Sequence, residues 1–290
     1  MDRPIKPIII LGTGRSGTTV FHQMLASHPQ VAWLPGVVLG RDPRRISLAR
    51  NALRLLDMPV VGRAAEHLLS PGECYPFWDS LYPGFGRPVR DLTADDVSER
   101  ARRRIRNAME ALCTTRRTRL LLKITGWPRL GFLAEVFPDA RFIHVLRDGR
   151  AVANSLLNVH FWRGWQGPGG WTLGDLPPAY AEEWQTHDQS FVVLAGLYWK
   201  VLMDALQNAY VKIPAERFLE VRYEDLCANP AEEIKRTLDF SHLAWTEEYA
   251  LNIRSFSLHN TNHKWQTDLS ARQQQALEEV LADHLQRYGY

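Results

Sequence analysis

Residues 7–25, PIIILGTGRSGTTVFHQML, constrain the fold of this chain more than any other stretch. A short apolar run enters a turn in which every residue of 12–19 except Arg15 is Gly, Ser or Thr, and a helical pattern follows. A strand, turn and helix in that order aim backbone N–H groups at one point, and the helix N-terminus adds a dipole that favours an anion. Glycine permits the left-handed backbone such a turn demands. The unit has the form of a phosphate-binding loop, yet Thr18 stands where the Walker pattern places lysine, and the loop's cation is Arg15. A nucleotide triphosphate site also needs an acidic residue for magnesium. Asp148, after the run FIHVLR, has Arg147 beside it, which opposes a dication.

Three more apolar runs, at 119–124, 140–147 and 218–223, are each followed by a helical pattern. That alternation predicts a parallel sheet with crossover helices. QVAWL at 30–34 reads as a further strand, and residues 44–69 carry apolar positions at helical spacing. Residues 93–113 read as a helix capped by Thr93 or Asp95, and a long helix is expected to run to about 208. The last amphipathic helix takes Ser270 as its N-cap. Residues 70–88 and 160–178, rich in Pro, Gly and aromatics, read as ordered loops. With no repeat and no low-complexity linker, residues 1–290 are expected to form one domain.

A hydrophobic fraction of 45% and a charged fraction of 23% are ordinary for a soluble chain with a sizeable core. The basic run at 100–106 lies inside a helical pattern and reads as a solvated face, so no nucleic-acid partner is expected. The three cysteines stand at no ligand spacing, and no metal is expected. PIIIL is too short for a signal peptide or a membrane span; the expectation is a cytoplasmic protein without a transmembrane segment.

GTGRSGTT, followed by ARFIHVLRDGRAVANSLL and VRYEDLCANP, resembles the sulfotransferases that use 3′-phosphoadenosine-5′-phosphosulfate (PAPS). The likeness is greatest to their bacterial-type, tyrosylprotein-sulfotransferase-like branch. It implies a P-loop-like α/β fold, a three-layer sandwich with a central parallel sheet flanked by helices. It implies PAPS as sulfuryl donor, no metal, and a hydroxylated small-molecule, lipid or glycan acceptor. Carried over by motif, Gly14, Arg15, Ser16, Gly17, Thr18 and Thr19 hold the 5′-phosphosulfate, and Lys123 joins Arg15 at the leaving group. Arg147 and Ser155 match the family's 3′-phosphate pair, and Lys264 its late loop over the nucleotide.

The base that takes the acceptor proton departs from the nearest relatives. Where the tyrosylprotein-like branch has a glutamate soon after the HP that closes the first helix, this chain has Pro35 and Gly36. Where the cytosolic branch has a histidine after the strand lysine, Lys123 is followed by Ile-Thr-Gly-Trp. Glu73, among Pro, Tyr, Phe and Trp, resembles the glutamate base of the heparan-type branch and becomes the third catalytic candidate, ahead of His160, Asp79 and Asp188. Trp162, Trp165, Trp171, Phe77 and Trp78 are candidates to line an acceptor cleft. Two other readings stay open: a magnesium-dependent kinase or NTPase on the same sheet, and a nucleotide-binding module that has lost its base.

Overall fold

The computed structural model describes residues 5–58, 62, 68–171 and 173–290. Its five strands are β1 (Ile8–Gly12), β2 (Val31–Trp33), β3 (Arg119–Thr125), β4 (Arg141–Leu146) and β5 (Phe218–Arg222). They form one sheet in the order β2-β3-β1-β4-β5, with every neighbouring pair parallel. The strand after the first helix therefore goes to one edge, and the chain crosses back over β1 before reaching β4. The C-terminal ends of β3, β1 and β4 come to lie side by side where that crossover occurs, the position at which open α/β sheets bind ligands.

β1 is buried along its whole length, as a central strand covered on both faces must be. Its side chains alternate between two cores. Ile9 and Leu11 pack with Leu120, Leu122 and Phe132. Ile8 and Ile10 pack with Phe21, Met24 and Ile143. A third apolar cluster joins helices Gly149–Leu157, Phe191–Tyr210 and Ala271–Tyr288 around Val152, Trp199 and Leu281. Helices thus cover both faces of the parallel sheet, the three-layer arrangement expected.

Several local readings change. Within 70–88 the chain forms a helix, Tyr75–Leu81. Pro76 suits its first turn, where no N–H is needed, and Phe77, Trp78 and Leu81 face the core. Composition concealed that spacing because Pro and Gly surround it. Thr93 caps only a short 3₁₀ turn, Ala94–Asp96; the helix proper is Glu99–Glu110, with Ser98 accepting from the Ala101 amide. The expected long helix is two, Pro178–Thr186 and Phe191–Tyr210, separated where Asp188 and Gln189 take left-handed backbone. Ser270 caps the last helix, with Gln273 completing a reciprocal box. Of the 44–69 pattern, helix Ile46–Leu55 is observed, while 59–61 and 63–67 lie outside the described residues. Among the described residues no helix is long and apolar enough to cross a membrane.

Candidate functional site

β1 ends at Gly12 and α1 (Thr18–Ala26) begins six residues later. Between them Gly14, Arg15 and Gly17 have φ of 76°, 57° and 84°. Left-handed residues this close together curl the main chain around a concavity. The amides of Gly14 to Thr19 donate to no backbone carbonyl among the described residues. Buried amides normally find an acceptor, so a row of free ones at a helix start is fit to receive an anion. Ser16 braces the turn from inside, its hydroxyl 2.7 Å from Thr13 Oγ1. Thr18 is buried as well, and its methyl faces Gly12. Thr19 is the loop hydroxyl that stands exposed.

Two cations reach this concavity. Lys123, on β3, donates to Thr19 Oγ1 at 3.0 Å and pairs with Glu73 Oε1 at 3.1 Å. It is 8% exposed, enough for its head to emerge beside the loop. Arg15 leans toward the second half of the other crossover helix, Gly149–Leu157, and donates from Nε to Ser155 Oγ at 3.0 Å.

Glu73 is fixed by the same cluster. The Thr125 hydroxyl donates to Glu73 Oε1 at 3.0 Å, so one carboxylate oxygen receives both Thr125 and Lys123. Oε2 has no hydrogen-bond partner among the described residues. Tyr75 pins Thr125 in turn, accepting from its amide at 3.0 Å and donating to its carbonyl at 2.9 Å. Burial pushes the Tyr75 phenol up to about 12, so it remains a neutral donor. Beneath it Arg129, almost wholly buried, donates to the carbonyls of Phe85 and Thr125 and lies over the Tyr75 and Phe85 rings. His22, on α1, is fully buried; desolvation first, and the Lys123 charge second, lower its pKa to about 3. It is therefore neutral and adds no charge to the site.

Arg147, just past β4, is a hub. Its Nη1 donates to the Arg15 carbonyl at 2.7 Å, its Nε to Asn262 Oδ1 at 2.9 Å and its Nη2 to Thr261 Oγ1 at 2.9 Å. The guanidinium lies 4.4 Å from the centre of the Tyr223 ring. Three of its five N–H groups are thus used within the protein, and one on each terminal nitrogen remains for a ligand. Asp148 is turned away from this work: both carboxylate oxygens receive the Arg150 guanidinium, and it caps the following helix.

The model of the sulfotransferase family matches residues 7–247. The chain belongs to that family. It is 28% identical over 312 residues to omega-hydroxy-beta-dihydromenaquinone-9 sulfotransferase Stf3 of Mycobacterium bovis, covering 98% of this chain and 75% of the relative. It is 21% identical over 247 residues to protein-tyrosine sulfotransferase A of Caenorhabditis elegans, covering 83% of this chain and 51% of that one. Among solved structures, sulfotransferase STF9 of Mycobacterium avium superposes with a TM-score of 0.56 at 21% identity, over 99% of this chain and 78% of its own. STF1 of Mycobacterium tuberculosis gives 0.57 at 16% identity, over 97% and 77%. The resemblance to the sulfotransferases read from three motifs is borne out.

The fold brings together Glu73, Lys123, Arg147, Ser155 and the loop from Gly14 to Thr19, although more than 130 residues separate their extremes. Lys264 begins a short helix, exposed and in no ion pair among the described residues; the segment before it reaches the site through Thr261 and Asn262. The aromatic cleft does not form as expected. Phe77, Trp78, Trp162 and Trp171 are buried in the cores, and of the five only Trp165 is exposed. Trp78 stacks on Phe85 at 4.4 Å, a packing role. Of the other base candidates, Asp79 accepts from the Gly86 amide, Asp188 pairs with Arg272, and the exposed His160 meets the Phe161 ring edge-on at 5.8 Å. Sequence reasoning missed Thr125, Tyr75, Tyr223, Thr261 and Asn262. Only Thr125, two residues past Lys123 on the same strand, could have been found by its spacing.

Proposed function

We propose that this sulfotransferase moves the sulfuryl group of PAPS to an alcohol hydroxyl borne on an apolar body, with Glu73 as general base. The observation that carries the reading is the unbroken contact Thr19–Lys123–Glu73 at the mouth of the phosphate loop, 3.0 and 3.1 Å long. A cation for the leaving group and a carboxylate for the entering one are then adjacent. The free amides of the loop fit a phosphosulfate, and two free N–H groups of Arg147 with the Ser155 hydroxyl fit the 3′-phosphate. The acceptor oxygen attacks sulfur, its proton passes to Glu73 Oε2, and the bond from sulfur to the bridging oxygen breaks. Lys123 and Arg15 meet the charge that grows on that oxygen as PAP departs. Glu73 Oε2 is the carboxylate oxygen left for the proton, since Oε1 already accepts twice.

An acceptor with an apolar body is supported by Stf3, a relative named for a menaquinone substrate. The commitment of Asp148 to Arg150 speaks against a magnesium-bound triphosphate at the same place. One domain over the whole chain and a cytoplasmic location complete the proposal. The test is transfer from radiolabelled PAPS to a panel of long-chain and isoprenoid alcohols, with wild type and Glu73→Gln in parallel. Loss of a general base costs about 10²–10⁴-fold in kcat, so Glu73→Gln is expected to fall in that range while its affinity for PAP is retained. Turnover within threefold of wild type removes Glu73 as base. No transfer to any acceptor, with magnesium-dependent ATP hydrolysis, overturns the donor assignment.

A further inference from the structure

Beyond Arg147 the hydrogen bonds continue in one direction. Asn262, which takes the Arg147 Nε–H on its carbonyl oxygen, donates through Nδ2 to Glu224 Oε1. The same oxygen accepts the Asp148 amide at 3.3 Å. The other oxygen of Glu224, Oε2, accepts the phenol of Tyr290 at 2.9 Å.

Tyr290 is held independently of that bond. Its amide donates to the Leu285 carbonyl at 2.9 Å, and Gly289 turns the main chain with φ of 70°. Arg222, at the end of β5, donates to the carbonyls of Tyr288 and Gly289, and its guanidinium lies 4.3 Å from the Tyr290 ring centre. The sheet edge therefore grips the end of the last helix, and the turn that follows the helix presents one hydroxyl to Glu224.

The consequence concerns specificity. Glu224 Oε1 holds Asn262 while Oε2 is held by Tyr290, so the carboxylate has one orientation. Asn262 then has one amide orientation, with its carbonyl oxygen facing Arg147 and its NH₂ facing Glu224. Were the amide reversed, two N–H donors would face each other at Arg147. Through that relay the position of the Arg147 guanidinium depends on Tyr290.

We infer that Tyr290 and Glu224 are positioning residues for the donor's 3′-phosphate, acting through Asn262 on Arg147. This rests on the reading of Arg147 as the 3′-phosphate ligand. Neither residue touches the reacting atoms, so their effect falls on donor selectivity rather than on the chemical step.

The test is calorimetric titration of the full chain with PAP and with ADP, which lacks the 3′-phosphate, for wild type, Tyr290→Phe and Arg147→Ala. Tyr290→Phe keeps the ring over Arg222 and removes only the donor to Glu224. A hydrogen bond to a carboxylate is among the stronger ones a protein makes. Part of its effect reaches the ligand, and PAP affinity is expected to fall about 3–10-fold with ADP affinity unchanged. The KM for PAPS should rise by the same factor and kcat should stay within twofold. A merely structural role for Tyr290 would weaken PAP and ADP together, and that result overturns the inference. So does unchanged PAP affinity in Tyr290→Phe while Arg147→Ala abolishes the preference for PAP, an outcome that leaves the donor site itself intact. If Arg147→Ala retains the preference, the 3′-phosphate assignment fails and this inference fails with it. Glu224→Gln, of the same shape, should reproduce the selectivity loss of Tyr290→Phe without adding to it in the double variant, as residues of one relay do.

Discussion

Gly17→Ala tests whether the shape of the phosphate loop, rather than its glycine content, sets donor binding. Gly17 has φ of 84°, and a Cβ built there would lie 2.3 Å from Tyr223 Cδ2 and 2.7 Å from Cε2. Gly14 is left-handed too, at 76°, but a Cβ there would meet nothing within 4 Å. Left-handed backbone costs an L-residue about 1–2 kcal/mol, which both alanine variants bear. Gly17→Ala must in addition displace an aromatic ring wedged in place: its hydroxyl donates to the His259 carbonyl at 2.9 Å, and Arg147 lies on its face. Forcing a methyl into such packing costs about 1–3 kcal/mol more. Gly17→Ala should therefore lose about 2–5 kcal/mol of stability and Gly14→Ala about 1–2. Movement of the Tyr223 ring also removes the support under Arg147, and a cation–π contact of this kind contributes about 0.5–2 kcal/mol. The affinity of Gly17→Ala for PAP is expected to fall about tenfold. Urea denaturation followed by fluorescence, and calorimetry with PAP on the folded protein, read both quantities. Equal stability of the two variants would refute the packing argument, and unchanged PAP affinity in Gly17→Ala would separate Tyr223 from the donor site.

Arg15→Ala removes a cation from the loop and the bond to Ser155; kcat is expected to fall at least 100-fold, about 2.7 kcal/mol of transition-state stabilisation, and near-normal transfer from labelled PAPS would remove Arg15 from the leaving-group role. His22 gives a pH signature. Its pKa is about 6.5 in the unfolded chain and about 3 when folded, so between those values the unfolded state binds one more proton. Stability from this group is complete above pH 6.5 and falls by about 1.4 kcal/mol per pH unit as the pH drops toward 3. Urea denaturation at pH 7.0 and pH 5.5 should show wild type losing about 1–2 kcal/mol more than His22→Leu; equal losses would mean that His22 is charged or solvated in the folded protein.

The sequence alone determined the kind of fold and the loop at which the donor is proposed to bind. β1, the glycine turn and α1 are contiguous, so their chemistry is local, and a strand buried on both faces leaves an unmistakable apolar run. The strands β3 and β4 were legible for the same reason and the edge strand β5 by its shorter apolar run, and with them Lys123 near the end of β3 and Arg147 just past β4. Local signals misled where tertiary packing outvoted composition. Within Pro-rich residues 70–88, Tyr75–Leu81 became a helix because Phe77, Trp78 and Leu81 could be buried together, and of the tryptophans expected to meet an acceptor all but Trp165 went to the core. Glu73 was suggested by its neighbours in the chain. Its two contacts, with Lys123 and Thr125, come from a strand some 50 residues away, and no spacing encodes them. The same holds for Asn262, Glu224 and Tyr290, which are ordinary polar residues in sequence and become a relay only because β5, the segment at 259–262 and the last helix converge beside Arg147. A motif records which groups a loop carries. Which distant carboxylate faces them, and in what orientation, is decided by the packing that sets one element against another.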